Sequence, residues 1–264
     1  MHDTAYETIR VARDGPVARL WLNRPDVHNA FNAVMIRELR SAVRALGTDG
    51  SVRVVILSGQ GASFCAGADL NWMKEVIHFS YKQNLRESLD LAEFLHELYV
   101  LPKPTIARVN GAAIGGGAGF LSACDIVIAS TEAKFGLSEV KLGLVPACIA
   151  PYVLRKTGER WARQYFLTGE RIDAERAREI GLANAVVGPD ELDRTIDDLT
   201  RGLISSGPEA LAQAKELLSR VPGMTFSQAK RFTAEMIAKL RMSSEGQEGM
   251  AAFLEKRKPR WIKS

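Results

Sequence analysis

The sequence has few aromatic residues, few cysteines and little net charge, and each shortage narrows its possible functions. Aromatic residues make up 7% of 264, and the formal net charge is +4. So small a basic excess, without the motif of an RNA-binding module, argues against nucleic-acid binding as the main function. Cys65, Cys124 and Cys148 are widely spaced and form no CxxC pair. We therefore expect neither a disulfide framework nor a metal site.

Long apolar runs are also missing, since none approaches the roughly 18 residues of a membrane span. The first ten residues, MHDTAYETIR, lack the basic and apolar regions of a secretory signal. The remaining composition, 46% hydrophobic and 25% charged, is that of an ordinary globular protein. We expect a cytoplasmic protein with no membrane partner.

Three common catalytic motifs are absent as well. The chain has no GxxxxGK[ST] phosphate loop and no GxSxG nucleophile elbow. His96 and Glu97 are followed by Leu-Tyr-Val, so the HExxH pattern of zinc proteases is not completed. Nucleotide phosphate loops, serine hydrolases and zinc proteases are thereby disfavoured.

What is present is an alternation of strand-like and helical segments. Runs rich in Val, Ile and Leu predict strands at 17–23, 52–59, 105–109 and 125–130, and apolar spacing predicts helices over 31–46 and 84–100. This order indicates an α/β core over residues 1–190. Four amphipathic segments follow at 191–204, 208–220, 225–241 and 245–258, which predicts a helical region over 191–264.

Two glycine-rich turns carry the strongest functional signal. Each follows a predicted strand: GQGASFCAGAD at 59–69 and NGAAIGGGAG at 110–119. Glycine lets a ligand approach the main chain closely, and N–H groups beside a helix N-terminus converge on negative charge. Neither turn fits the GxGxxG nucleotide fingerprint, because Phe120 stands where that pattern needs a small residue.

With these turns the chain resembles the crotonase (enoyl-CoA hydratase/isomerase) superfamily over nearly its whole length. The matching segments are NRPDVHNAFN (23–32), FCAGADL (64–70), NGAAIGGGAGFLSACDIVIAS (110–130), KFGLSEVKLGLVP (134–146) and AFLEKRK (252–258). The resemblance implies a spiral core of ββα units with a C-terminal helical trimerisation region. It also implies that the N–H groups of Ala68 and Gly116 form an oxyanion hole for a thioester enolate.

Further positions carry over as expected contacts of the coenzyme A thioester. The resemblance implies substrate binding by Ala66, Leu70, Asn29, Phe253 and Lys256, the last two commonly reaching the site of a neighbouring subunit. We expect a homo-oligomer, either a trimer or a dimer of trimers. No separate cofactor is expected, because coenzyme A is part of the substrate.

Acid–base chemistry is where the chain departs from the best-known hydratases, which place two glutamates around the attacking water. One is retained as Glu139, whereas the other position holds Gly119. The resemblance favours a methylglutaconyl-CoA hydratase, as in leucine breakdown, or a related enoyl-CoA hydratase, with Glu139 acting alone. A Δ3,Δ2-enoyl-CoA isomerase is the main alternative, because proton transfer between two carbons needs one carboxylate in principle. RNA binding and non-catalytic binding of CoA esters are weaker alternatives.

Overall fold

The computed structural model describes residues 6–262, in which two sheets are surrounded by helices. The larger sheet has the strand order β1-β2-β3-β5-β7-β10, in which β1 pairs antiparallel with β2 and the other neighbours are parallel. Its strands are β1 (Ile9–Asp14), β2 (Val17–Leu22), β3 (Val54–Gly59), β5 (Thr105–Val109), β7 (Ile126–Ser130) and β10 (Ala185–Val187). The four predicted strands are confirmed as β2, β3, β5 and β7.

The smaller sheet is built from four strands of three residues, and the first three in the chain each follow a strand of the larger sheet. Its order is β4-β6-β8-β9, with β4 (Ser63–Cys65), β6 (Ala112–Ile114), β8 (Lys134–Gly136) and β9 (Arg171–Asp173). The chain passes from β3 to β4, from β5 to β6 and from β7 to β8, so each pass contributes one strand to each sheet. The two glycine-rich turns include the first two of these crossings.

Helices cover the sheets and form the end of the chain. They are α1 (Ala33–Thr48), α2 (Leu70–Val76), α3 (Tyr81–Tyr99), α4 (Gly116–Ala123), α5 (Ala150–Thr168), α6 (Ala174–Glu179), α7 (Leu192–Ser205), α8 (Pro208–Arg220), α9 (Phe226–Met242) and α10 (Ser244–Leu254). The predicted helices correspond to α1, α3 and α7 to α10. The first helix extends beyond its predicted end at residue 46, because α1 continues to Thr48.

One core unites most of these elements. Buried side chains from β2, β3 and β5 pack with those of α1, α3 and α4, including Leu39, Phe94 and Phe120, each 0% exposed. Burial of side chains of this size contributes about 1.5–3 kcal/mol each. No helix among residues 6–262 is long and apolar enough to cross a membrane.

Candidate functional site

The first glycine-rich turn presents the backbone of Ala68 beside Phe31. The Phe31 N–H donates to the Gly67 carbonyl at 2.8 Å, and the Asp69 N–H donates to the Phe31 carbonyl at 2.8 Å. This bridge uses the groups on both sides of Ala68. The Ala68 N–H itself has no acceptor among the described residues. A half-buried donor is therefore left available for a ligand.

Buried polar side chains hold this turn in place. Asp69 accepts hydrogen bonds from the N–H groups of Asn71 and Trp72 at the start of α2 and forms an ion pair with Arg24 at 2.7 Å. Burial acts to raise the pKa of Asp69, but the hydrogen bond from Arg24 and those from the two N–H groups outweigh it and hold the pKa low. Asp69 is therefore a charged anchor for the turn.

Asn29, which the resemblance places at the substrate, is 0% exposed. Its amide nitrogen donates to the carbonyls of Gln60 and Ser63 at 2.8 Å each, and its oxygen accepts from the Arg24 N–H at 2.9 Å. Both N–H groups of the amide are therefore used within the first turn. The hydrogen bonds of Asn29 hold the first turn in position.

The second glycine-rich turn leads from β6 into α4. Gly115 has φ +53, a conformation that glycine adopts without steric cost, and its N–H donates to the Gly136 carbonyl at 2.8 Å. Gly116 begins α4, and its N–H has no acceptor among the described residues. This donor lies at the positive end of the helix dipole, which favours negative charge.

Phe31 links the two turns, a role that no local sequence pattern indicates. Its backbone brackets Ala68, while its ring lies against Gly116. A side chain at position 116 would overlap Cε1 of Phe31 and come 2.7 Å from Cζ. The ring also contacts Trp72 and Phe120, at centroid distances of 5.7 and 5.3 Å. One residue thus contacts both turns that carry the free donors.

Glu139 brings a carboxyl group to the same helix end. It begins a short 3-10 helix, Glu139–Leu142, after β8. A Cβ at position 115 would lie 3.2 Å from Oε1 of Glu139, so the carboxyl group is beside Gly115. Its Oε2 is buried without a hydrogen-bond partner among the described residues. Burial raises the pKa of Glu139 above its ordinary value, which makes the protonated form easier to populate.

One turn further along α4, the side of the helix is apolar. The Gly119 N–H donates to the Gly115 carbonyl at 3.2 Å, so the two glycines are one turn apart. Gly119 is buried, and the side chain of Ile149, itself 3% exposed, fills the space beside it. The position expected to hold a second glutamate is therefore packed.

The remaining predicted contacts divide into two groups. Ala66 and Leu70, which flank Ala68, are exposed, Leu70 to 74%. Phe253 at the end of α10 is 83% exposed, and Lys256 is exposed with φ +53. No hydrogen bond or ion pair joins these two residues to the turns within residues 6–262.

The helix that carries Phe253, which ends shortly before Lys256, packs with its neighbours at the other end of the core. Lys215 of α8 forms an ion pair with Asp125, which directly precedes β7, and donates to the carbonyl of Lys103, shortly before β5. The helix α10 packs on α8 and α9. Ala68 and Gly116, in contrast, follow the carboxyl ends of β3 and β5.

No cluster of His, Cys, Asp or Glu suited to a metal ion occurs among the described residues. Burial raises the pKa of the Cys65 and Cys124 thiols to about 12, so both stay protonated near neutral pH. The polar groups available at the start of α4 are therefore the N–H groups of Ala68 and Gly116 and the carboxyl group of Glu139.

Comparisons with known proteins match almost the whole chain. The sequence profile described as enoyl-CoA hydratase/isomerase matches residues 12–264. The crystal structure of an enoyl-CoA hydratase from Shewanella pealeana superimposes with a TM-score of 0.95 at 42% identity, covering 98% of this chain and 97% of that one.

Two curated relatives have similar coverage. A short-chain-enoyl-CoA hydratase of Clostridium acetobutylicum is 35% identical over 93% of this chain and 94% of its own. A crotonyl-CoA hydratase of Syntrophomonas wolfei is 35% identical over 98% of this chain and 99% of its own. The predicted crotonase fold is confirmed, and the chain belongs to the enoyl-CoA hydratase/isomerase family.

Proposed function

We propose that this protein is an enoyl-CoA hydratase that adds water to a 2-enoyl-CoA thioester, or removes it in reverse. The observation that carries the proposal is the group of unpaired polar atoms at the start of α4: the N–H groups of Ala68 and Gly116 and Oε2 of Glu139. Buried polar groups are normally paired, so unpaired ones at a helix N-terminus indicate a ligand. The hydratase names of the relatives above support the same reaction.

In the proposed reaction, water attacks the β-carbon while Glu139 accepts one of its protons. The electron pair of the double bond moves toward the thioester oxygen, where Ala68 and Gly116 donate hydrogen bonds to the enolate. Glu139 then transfers the proton to the α-carbon, which regenerates the carboxylate and the thioester carbonyl. A donor aimed at the developing charge typically contributes about 3–4 kcal/mol to such a transition state.

The substrate proposal extends to its acyl group and its coenzyme A portion. We propose a branched acyl group of methylglutaconyl type, and main-chain contacts of the adenine with Ala66 and Leu70. Both residues are exposed beside Ala68, which supports this assignment. A compact cation such as Lys256 suits a phosphate of the coenzyme.

A subunit other than the one holding Ala68 supplies Phe253 and Lys256 in this proposal. The separation of their helices from the turns supports a homo-oligomer, which we propose to be built from trimers. Mixing tests it: Glu139→Gln and Phe253→Ala variants, each poorly active, should regain activity when dissociated and reassembled together. Absence of recovery, with mixed oligomers present, would refute shared sites.

The activity test uses crotonyl-CoA and 3-methylglutaconyl-CoA with the purified protein. We expect loss of the conjugated enoyl-thioester absorbance for at least one of them. A 3-enoyl-CoA is the matched substrate for the second candidate, Δ3,Δ2-isomerisation, which the single carboxylate at the helix end favours. Formation of conjugated absorbance from it, with no hydration of either 2-enoyl ester, would replace hydratase by isomerase.

A further inference from the structure

The pairing of Gly119 with Ile149 decides how many carboxylates the site can hold. The two residues are 30 positions apart and meet where the segment before α5 crosses α4. A Cβ added at position 119 would overlap Cγ2 of Ile149 and lie 2.7 Å from its Cβ. A larger side chain at position 119 therefore requires Ile149 to shift or to be replaced by a smaller residue.

Ile149 is held where it is by its surroundings. It is 3% exposed and belongs to the core, and its carbonyl accepts hydrogen bonds from the N–H groups of Tyr152 and Val153 in the first turn of α5. Moving it would disturb the start of a 19-residue helix. The apolar surface beside Gly119 is therefore rigid, like other well-packed interiors.

We propose that Ile149 is a specificity-determining residue: it keeps a second acid–base group and its bound water away from α4, so that Glu139 alone exchanges protons with the acyl group. This proposal rests on the function proposed above. The chemical consequence is a bias toward reactions in which one carboxylate moves a proton. Addition of water loses the benefit of a second group that would orient the attacking water.

The distances define which variants test the proposal. Gly119→Glu alone should lower Tm, because the new side chain overlaps Ile149. Adding Ile149→Ala should restore little, since the alanine Cβ remains 2.7 Å from that of residue 119. Adding Ile149→Gly removes both overlapping atoms and should restore most of the loss in Tm. Gly119→Ala with and without Ile149→Gly repeats the comparison with the smallest side chain.

The functional readout is the ratio of crotonyl-CoA hydration to 3-enoyl-CoA isomerisation in the full-length protein. We expect the Gly119→Glu/Ile149→Gly variant to raise this ratio by at least about tenfold over the parent, since a positioned acid–base group contributes roughly 10²–10⁴-fold. If the glutamate variant does not fold, Gly119→Asp/Ile149→Gly offers a shorter carboxylate. Ile149→Gly alone is the comparison variant, because it removes the apolar side chain without supplying a carboxylate, and its ratio should lie well below that of the double variant.

Two results would overturn the proposal. One is a Gly119→Glu variant with parental Tm and an already raised ratio, because Ile149 would then exclude nothing. The other is an unchanged ratio in a folded carboxylate double variant. A parent protein that only isomerises would refute the hydratase function, whereas a gain of hydration in the double variant would still support the role of Ile149.

Discussion

The two ends of α4 differ in how their polar groups are satisfied. At its start, the N–H groups of Ala68 and Gly116 and one oxygen of Glu139 have no partner within residues 6–262. Beyond its end, Asp125 accepts from the Thr105 N–H at 2.7 Å, the Thr105 hydroxyl at 2.9 Å and Nζ of Lys215 at 2.7 Å. The polar groups at the start of α4 remain free to bind a ligand, whereas the hydrogen bonds of Asp125 stabilise the fold.

Stability and activity should therefore be separable along one short helix. Groups at the start of α4 give up internal hydrogen bonds that would each contribute about 1 kcal/mol net. The hydrogen bonds and the ion pair of Asp125 offset part of this loss of stability, because they join the segment after α4 to β5 and to α8. Variants at the two ends test this division.

The largest effect is expected for Glu139→Gln, which keeps the shape of the side chain but cannot exchange a proton at neutral pH. We expect kcat to fall by roughly a thousandfold, within the range for loss of general acid–base catalysis. Binding of a CoA thioester, measured by calorimetry, should be retained. Glu132→Gln changes an exposed carboxyl group after β7 and is the matched control. Near-parental activity of Glu139→Gln would remove Glu139 from the mechanism.

Phe31→Ala should also affect the start of α4, through the spacing of the two donors. We expect a drop in kcat of about a hundredfold, comparable to loss of one oxyanion donor, with a smaller change in KM. Phe31→Leu should recover much of this. Phe94→Ala is the control, because Phe94 packs on Phe120 in the same aromatic cluster, whereas Phe31 is the residue whose ring lies against Gly116.

Both phenylalanine-to-alanine changes should destabilise the fold by about 3–5 kcal/mol, as expected for large core truncations. Only the Phe31 variant should lose kcat under conditions where both proteins are folded. Equal losses of kcat in the two variants would show that Phe31 acts through general stability. Denaturant unfolding and steady-state kinetics on the same preparations make the comparison.

These roles show which parts of the molecule the sequence alone could reveal. The free donors follow from local features, since glycine-rich turns after strands are visible in a single segment. The links from Phe31 to Gly116 and from Ile149 to Gly119 depend on segments 85 and 30 residues apart, as their numbering gives. Nothing local distinguishes those apolar residues from ordinary core residues.

The prediction of secondary structure is limited in the same way, because it also relies on local sequence patterns. The apolar strands β2, β3, β5 and β7 were predicted because their apolar runs are long enough to recognise. The six-residue β1 was not, because half of its sequence, IRVARD, is charged. The three-residue strands of the smaller sheet were not predicted, because three residues are too few to show a recognisable apolar pattern. Their pairing depends on neighbours brought alongside by the larger sheet. Their formation is therefore a consequence of the fold.

At the far end of α4, Asp125→Ala should lower stability with little effect on the reaction. Removing the carboxylate leaves Lys215, 12% exposed, without its ion-pair partner and the Thr105 N–H without its acceptor. Breaking such a partly buried pair should cost about 3 kcal/mol, at the lower end of the range for buried pairs. Urea unfolding should show this loss, while kcat/KM of the folded protein stays within about twofold of the parent. A large loss of kcat/KM would mean that the two ends are coupled.

The smallest expected effect is on the free energy of unfolding and comes from the buried carboxyl group of Glu139. Burial raises the pKa of Glu139 in the folded protein, so its ionisation disfavours the folded state as pH rises from the ordinary carboxyl range through the raised pKa. Glu139→Gln should therefore be more stable than the parent at neutral pH. The difference should vanish when the pH falls below the unfolded-state pKa of about 4.3. Urea unfolding of both proteins across this range tests the sign, and a parent more stable at neutral pH would mean that the folded protein stabilises the carboxylate.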